Sequence, residues 1–148
     1  GYGEVKYFDQ AALQFNKQLE YKLIFDIKSN QVKNGVNKRL WTIARTFNLF
    51  ELSSIPSKKI KLVASIHGEA TFITLNNNAY RNKFGIDNPN LNLIKQLKEN
   101  GVELYVCSQA IASRKINNRD LNINVIPALS GIAVLSNHLL QGFTLMPN

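Results

Sequence analysis

Apolar residues recur along this chain in two rhythms that alternate from the first third to the end. Tyr21–Ile27 carries Leu23, Ile24, Phe25 and Ile27, a short apolar run of the length expected of a strand covered on both faces. Ser29–Gly35 reads as a loop. From Val36 the apolar positions Val36, Leu40, Ile43, Ala44, Phe47 and Phe50 return at three- and four-residue spacing, with Lys38, Arg39 and Arg45 between them. That spacing predicts an amphipathic helix ending before Pro56. Ile60–Ile66, rich in Val and Ile, predicts a second strand and delivers the chain to His67-Gly68-Glu69.

A helical segment is expected over Ala70–Leu75. The Asn-rich stretch from Asn76 to Asn90 reads as irregular, with a helical turn at Ala79–Lys83. A helix over Leu91–Glu99 follows, with Asn90 as its cap, Leu91, Ile94 and Leu97 on its inner face and Gly101 as its stop. Val102–Cys107 alternates as a third strand, and Ser108 is positioned to cap a short helix Gln109–Arg114. Leu121–Ile126 reads as a fourth strand broken by Pro127. The pattern then predicts a helix Ala128–Leu140, with Leu129, Ile132, Leu135 and Leu139 inward, closed by Gly142, and a last strand Phe143–Met146. Strands alternating with helices define an α/β domain with a mostly parallel five-stranded sheet. Residues 1–18 show no clean period and read as an extended arm with a helical turn around Gln10–Phe15, leaving 19–148 as one domain. A length of 148 residues suits a single core.

Composition narrows the chemistry. Eighteen Lys and Arg stand against ten Asp and Glu, a formal charge of +8. The basic residues are dispersed, and the one cluster, Lys58, Lys59 and Lys61, has no aromatic residues interleaved for base stacking, so no nucleic-acid partner is expected. No apolar run approaches the roughly 18 residues that a membrane span needs. From Leu121 to Asn148 there is no Asp, Glu, Lys or Arg at all, which predicts packing on both sides of the terminal elements, either inside the sheet layers or against another subunit of a homo-oligomer. The chain begins Gly-Tyr-Gly without Met, as expected either of a processed chain or of one from which a first segment has been cut away.

One cysteine, Cys107, and two histidines, His67 and His138, exclude an internal disulfide and a thiolate-rich metal site. No phosphate loop, nucleophile elbow or HExxH motif is present, so no cofactor and no metal are expected. In open α/β sheets, ligands bind outside the carboxyl ends of the strands. His67 ends the second strand and Cys107 the third, so neighbouring strands would bring both to one crevice. Amides at the start of the next helix, those of Ser108 and Gln109, would favour a thiolate, and Arg114 would add a positive group. A second reading stands beside this one: free cysteine is often a small buried hydrophobe, and a histidine beside Gly68 often makes a structural hydrogen bond. Glu69 reads as an acid at a helix start, and His138 as a packed or interface residue.

The segment Leu104–Ile116, with its Val-Cys107 followed by a small-residue helix and Arg114, resembles the DsrE/DsrF-like (YchN-like) family. The strand ending in His67-Gly68, the Asp87-Asn88-Pro89-Asn90 segment and the ending from Val125-Ile-Pro127 to Gly142-Phe143 are similar too, so the likeness spans residues 20 to 147. Lys115 stands where glycine is common after the arginine. The resemblance implies a three-layer α/β/α sandwich, trimers or hexamers, and a cysteine that accepts persulfide sulfur from a donor protein and hands it to an acceptor. It therefore implies a sulfurtransferase or sulfur carrier with Cys107 and His67 as catalytic residues and Ser108, Gln109, Arg114 and Gly68 in binding roles. The similar branch contains many uncharacterised and exported members, which favours a periplasmic or other exported location over the cytoplasm. The alternative is a non-catalytic oligomeric protein that binds a small anionic ligand in the same crevice.

Overall fold

The computed structural model describes all 148 residues, Gly1–Asn148. Five strands form the main sheet: β1 (Tyr21–Ile27), β4 (Ile60–Ile66), β5 (Glu103–Cys107), β6 (Ile126–Ala128) and β7 (Thr144–Met146). Their spatial order is β6-β5-β4-β1-β7 and every pairing is parallel. Parallel neighbours need crossovers: α1 (Lys38–Leu52) lies between β1 and β4, α3 (Leu91–Glu99) between β4 and β5 and the short helix Ser108–Ser113 between β5 and β6, while α5 (Gly131–Leu140) leads from β6 to β7 at the opposite edge. The expected α/β architecture is thus present.

The two faces of this sheet are unequal. On one, α1 and α3 cover side chains such as Phe25, Ile27, Leu62, Ala64, Ile66, Leu104 and Val106, giving a core of 22 buried residues. On the other, α5 lies over a buried cluster of three, Ile24, Val63 and Val134. Each fully buried Ile, Leu or Phe contributes about 1.5–3 kcal/mol of transfer free energy, so the first face dominates stability. The N-terminal arm adds to it. Phe15 stacks on Tyr21 and Phe50 at centroid distances of 5.3 and 4.6 Å, and Asn48 Nδ2 donates to the carbonyls of Tyr2 and Gly3. Gly3 has a φ of +70°, and a Cβ there would meet Arg45 N at 2.3 Å, so only glycine lets the arm lie this close to α1. The arm contains turns but no helix at Gln10–Phe15.

Several local expectations are corrected, each by a specific contact. The Ser29–Gly35 loop continues into a small hairpin, β2 (Val32–Lys33) and β3 (Val36–Asn37), because Asn34 and Gly35 take the positive φ values that a tight Asn-Gly turn needs. The Asn-rich stretch forms α2 (Asn77–Phe84), capped by Asn76 Oδ1 accepting from Ala79 N at 2.8 Å. The Ala70–Leu75 segment is a 3-10 helix, Gly68–Thr74. Asn90 stands at the N-cap of α3 as expected, but its side chain makes no cap bond, since its Oδ1 accepts from Asn37 N at 2.7 Å; the helix buries Leu93 with Ile94 and Leu97 while Leu91 is only partly covered. Pro127 lies inside β6 instead of breaking it, since an edge strand leaves one side without ladder partners. Leu121 makes only an isolated bridge to Leu75.

The last helix differs most. It starts at Gly131, capped by Ser130, and this later start turns Val134 inward and leaves Leu129, Ile132 and Leu140 at 73%, 79% and 87% exposure. No helix is long and apolar enough to cross a membrane.

Candidate functional site

Polar residues interrupt the apolar runs on the α5 face of the sheet. Asp26 of β1 pairs in register with Ser65 of β4, which pairs with Tyr105 of β5, so one row of the sheet carries a carboxylate and two hydroxyls. His67 extends this face. It follows β4 with extended backbone, φ −156° and ψ −171°, and its ring lies 3.5 Å from where a Cβ on Gly131 of α5 would stand. Its Nε2 is 2.5 Å from Asp26 Oδ1. A carboxylate only accepts, so Nε2–H is the donor of this pair, and in the neutral ring Nδ1 is the acceptor nitrogen. Both side chains are a little over a quarter exposed.

Asp26 also attracts the Arg39 guanidinium, which burial holds below its ordinary value and Asp26 pulls partly back. Ser65 Oγ beside His67 is buried without a hydrogen-bond partner. Tyr105 Oη donates to Glu103 Oε2 at 2.6 Å, and that bond, with burial, pushes its pKa up to about 12.

Cys107 ends β5 on the same face by strand alternation from Tyr105, pairing with Ala128 of β6. His67 and Cys107 each stand one residue beyond the Ile66–Val106 pair of the β4–β5 ladder, so neighbouring strands end in the imidazole and the thiol. Cys107 itself, not Ser108, caps helix α4 (Ser108–Ser113): its Sγ accepts from Ala110 N at 3.4 Å. The amide that meets the sulfur is therefore Ala110's, whereas Ser108 and Gln109 begin the helix and Gln109 Nε2 donates to Leu129 O. Cys107 as a whole is buried, with 8% of its surface exposed.

Arg114 lies at the far end of α4. Its guanidinium is 3.6 Å from Glu69 and makes its hydrogen bonds to Ala110 O and Ser113 Oγ, none to Cys107. Gly68 has a φ of +58°, and a Cβ there would meet Lys28 O at 3.2 Å, so its part is to let the 3-10 helix pack against the end of β1. His138 Nδ1 lies 2.6 Å from Val134 O and its ring meets Phe143 edge-on. No group of three or more His, Cys, Asp or Glu is placed to hold a metal ion. Asp26 went unnoticed in the sequence, although a lone carboxylate inside Tyr21–Ile27 was its visible signal.

A separate cavity of about 680 Å³ opens on the other side of α4, at the carboxyl ends of the strands. Ser113 and Arg114 line it, together with the β2–β3 hairpin, the 3-10 helix and α2, but Cys107 and His67 do not.

The fold and the strand-end cysteine define a parallel α/β protein with a single thiol at the carboxyl edge of its sheet. The model of the DsrE/DsrF-like family matches residues 8–147, and the chain belongs to that family. No curated protein matches it by sequence. A solved protein of unknown function from Methanobacterium thermoautotrophicum is similar in fold, with a TM-score of 0.61 at 14% identity over 85% of this chain and 97% of that one.

Proposed function

We propose that this protein handles sulfur through a persulfide on Cys107, as a sulfur carrier or sulfurtransferase. The observation that carries the reading is the shared strand edge: Cys107, with its sulfur on the Ala110 amide, ends the strand beside the one that ends in the Asp26-bonded His67. Membership of the DsrE/DsrF-like family supports it.

The chemistry needs a donor that carries sulfane sulfur, a persulfide R–S–SH. The Cys107 proton passes to His67 Nδ1, and Asp26 stabilises the imidazolium that results. The thiolate attacks the outer sulfur of the donor, the Cys107 S–S bond forms as the donor S–S bond breaks, and R–S⁻ leaves and takes up a proton. Cys107–SH and R–S–SH become Cys107–S–SH and R–SH, with no outside oxidant. Negative charge on the sulfur is favoured by the Ala110 N–H during attack.

The reading extends to assembly. Leu129, Ile132 and Leu140 stand exposed on and beside α5, within a stretch that carries no Asp, Glu, Lys or Arg, and a second copy of the chain would cover them. Assembly through this face lies over the polar row and the thiol edge.

Whole-protein mass spectrometry after incubation with inorganic polysulfide tests the chemistry. The wild type should gain one sulfur atom that dithiothreitol removes, and Cys107→Ser should gain none. A wild type without added sulfur, or a Cys107→Ser protein that still gains it, overturns the reading.

A further inference from the structure

The cavity beyond α4 has a composition of its own. Phe72 of the 3-10 helix meets Phe84 of α2 edge-on at a centroid distance of 5.8 Å, and Tyr80 packs on Phe84 at 4.5 Å, forming an aromatic wall. Lys83 Nζ sits 4.5 Å from the centre of the Phe72 ring and makes no ion pair. The other lining charges, Arg114 and Glu69, pair with each other. The cavity thus offers aromatic ring surface and one positive charge, Lys83 over the Phe72 and Phe84 rings, that has no carboxylate partner.

The opposite wall is rigid. Asn37 and Asn90 line it, and both are buried, as is Asn88 behind them. Asn90 accepts from Asn37 N at 2.7 Å and donates to Asn88 Oδ1 at 3.1 Å, while Asn88 Nδ2 donates to the carbonyls of Ile73 and Leu75. Amides bonded in this way tie the hairpin, α1, the 3-10 helix and the start of α3 into one frame, so the cavity exists before any ligand enters. Burial pushes the Tyr80 hydroxyl above its ordinary value, which keeps it a protonated donor at the wall. A volume of about 680 Å³ falls within the range of small-molecule sites.

We infer that this cavity is a binding site for a small aromatic organic anion, whose ring lies on Phe72, Tyr80 and Phe84 and whose acidic group meets Lys83. The site is distinct from Cys107 and requires no reaction there. A paired Arg114–Glu69 couple adds little net charge, so Lys83 sets the preference for an anion over a neutral molecule of the same shape.

Fluorescence titration of the full chain with 8-anilinonaphthalene-1-sulfonate and with the uncharged N-phenyl-1-naphthylamine tests this. The sulfonate probe should bind saturably, one per chain. Lys83→Met should weaken it about tenfold, as expected for loss of a charge-assisted contact, and leave the neutral probe within about twofold. Phe84→Ala, at a half-exposed position outside the buried core, should weaken both probes. Lys98→Met, on the remote face of α3, should change neither. The inference is overturned if the sulfonate probe shows no saturable site, if Lys83→Met leaves it unchanged, or if Lys98→Met weakens it as much, which would mark mere attraction to a basic surface.

Discussion

The two faces of one sheet have been given different work. Under α1 and α3 the strands present only apolar side chains, and 22 buried residues interlock with no titratable group among them other than aromatic handles at the margin. Under α5 the same strands present Asp26, Ser65, Tyr105, His67 and Cys107 around a buried cluster of three. Polar groups on a buried face cost free energy unless they are bonded, and Ser65 Oγ has no partner. A face that keeps such groups is less optimised for stability, and the strand-end thiol and imidazole lie on it. One layer thus holds most of the buried apolar core, while the other keeps polar groups and leaves apolar side chains of its helix exposed.

Truncation of matched residues should widen that contrast most. Ile43 and Ile24 are both fully buried, one under each set of helices. Ile43→Ala should cost about 4 kcal/mol and Ile24→Ala about 2–3 kcal/mol in chemical denaturation, since the thinner layer can relax into the space. Equal losses would show that α5 packs as tightly as α1. A second effect concerns what covers α5. Ile132→Asp should convert the wild-type assembly to a monomer in light scattering while leaving the melting temperature of the monomer within a few degrees; a wild type that is already monomeric would remove the assembly reading.

Cys107→Ser should change stability by less than about 1 kcal/mol, because the hydroxyl retains the bond from Ala110 N, so any loss of sulfur loading reports chemistry and not unfolding. The smallest effect is alkaline. Tyr105 holds its proton to about pH 12 when folded, against about 10 when unfolded, so its contribution to stability is complete below pH 10 and is lost as the pH rises toward 12. Ultraviolet titration of tyrosinate should move this group downward in Glu103→Gln, since its hydrogen bond to the Glu103 carboxylate is the first cause of the shift.

Much of the first face was legible in the amino-acid order, and the reason is periodicity. Leu40, Ile43, Ala44 and Phe50 recur because α1 packs on a continuous core, although Val36, read as its first turn, belongs to β3; Tyr21–Ile27 and Ile60–Ile66 coincide with β1 and β4 as read. The second face was read less well because weak burial leaves a weak pattern. Ala128–Leu140 has apolar residues all round, so the side read as inward was only partly right: Leu135 packs beside the buried Val134, whereas Leu129 and Ile132 stand exposed. For the site, the strand-end positions of His67 and Cys107 were visible, whereas Asp26 lies 41 residues from its partner and only the parallel register of β1 and β4 brings them together. Arg114 was expected near the sulfur, but α4 carries it to Glu69 and the separate cavity. The cavity itself was invisible, since its walls come from separate segments: Phe72 from the expected helix Ala70–Leu75, Tyr80, Phe84 and Asn90 from the stretch that read as irregular, and Asn37 from the start of the expected helix after Gly35.

Peptide-resolved mass spectrometry during polysulfide loading, with the wild type beside His67→Gln, tests the central claim most directly. Sulfur should appear on the peptide that contains Cys107, and loading should be about a hundredfold slower without the imidazole, the scale of a general base. A Cys107 that stays an unmodified thiol, or that loads equally fast in His67→Gln, would contradict the assignment of chemistry to the α5 face.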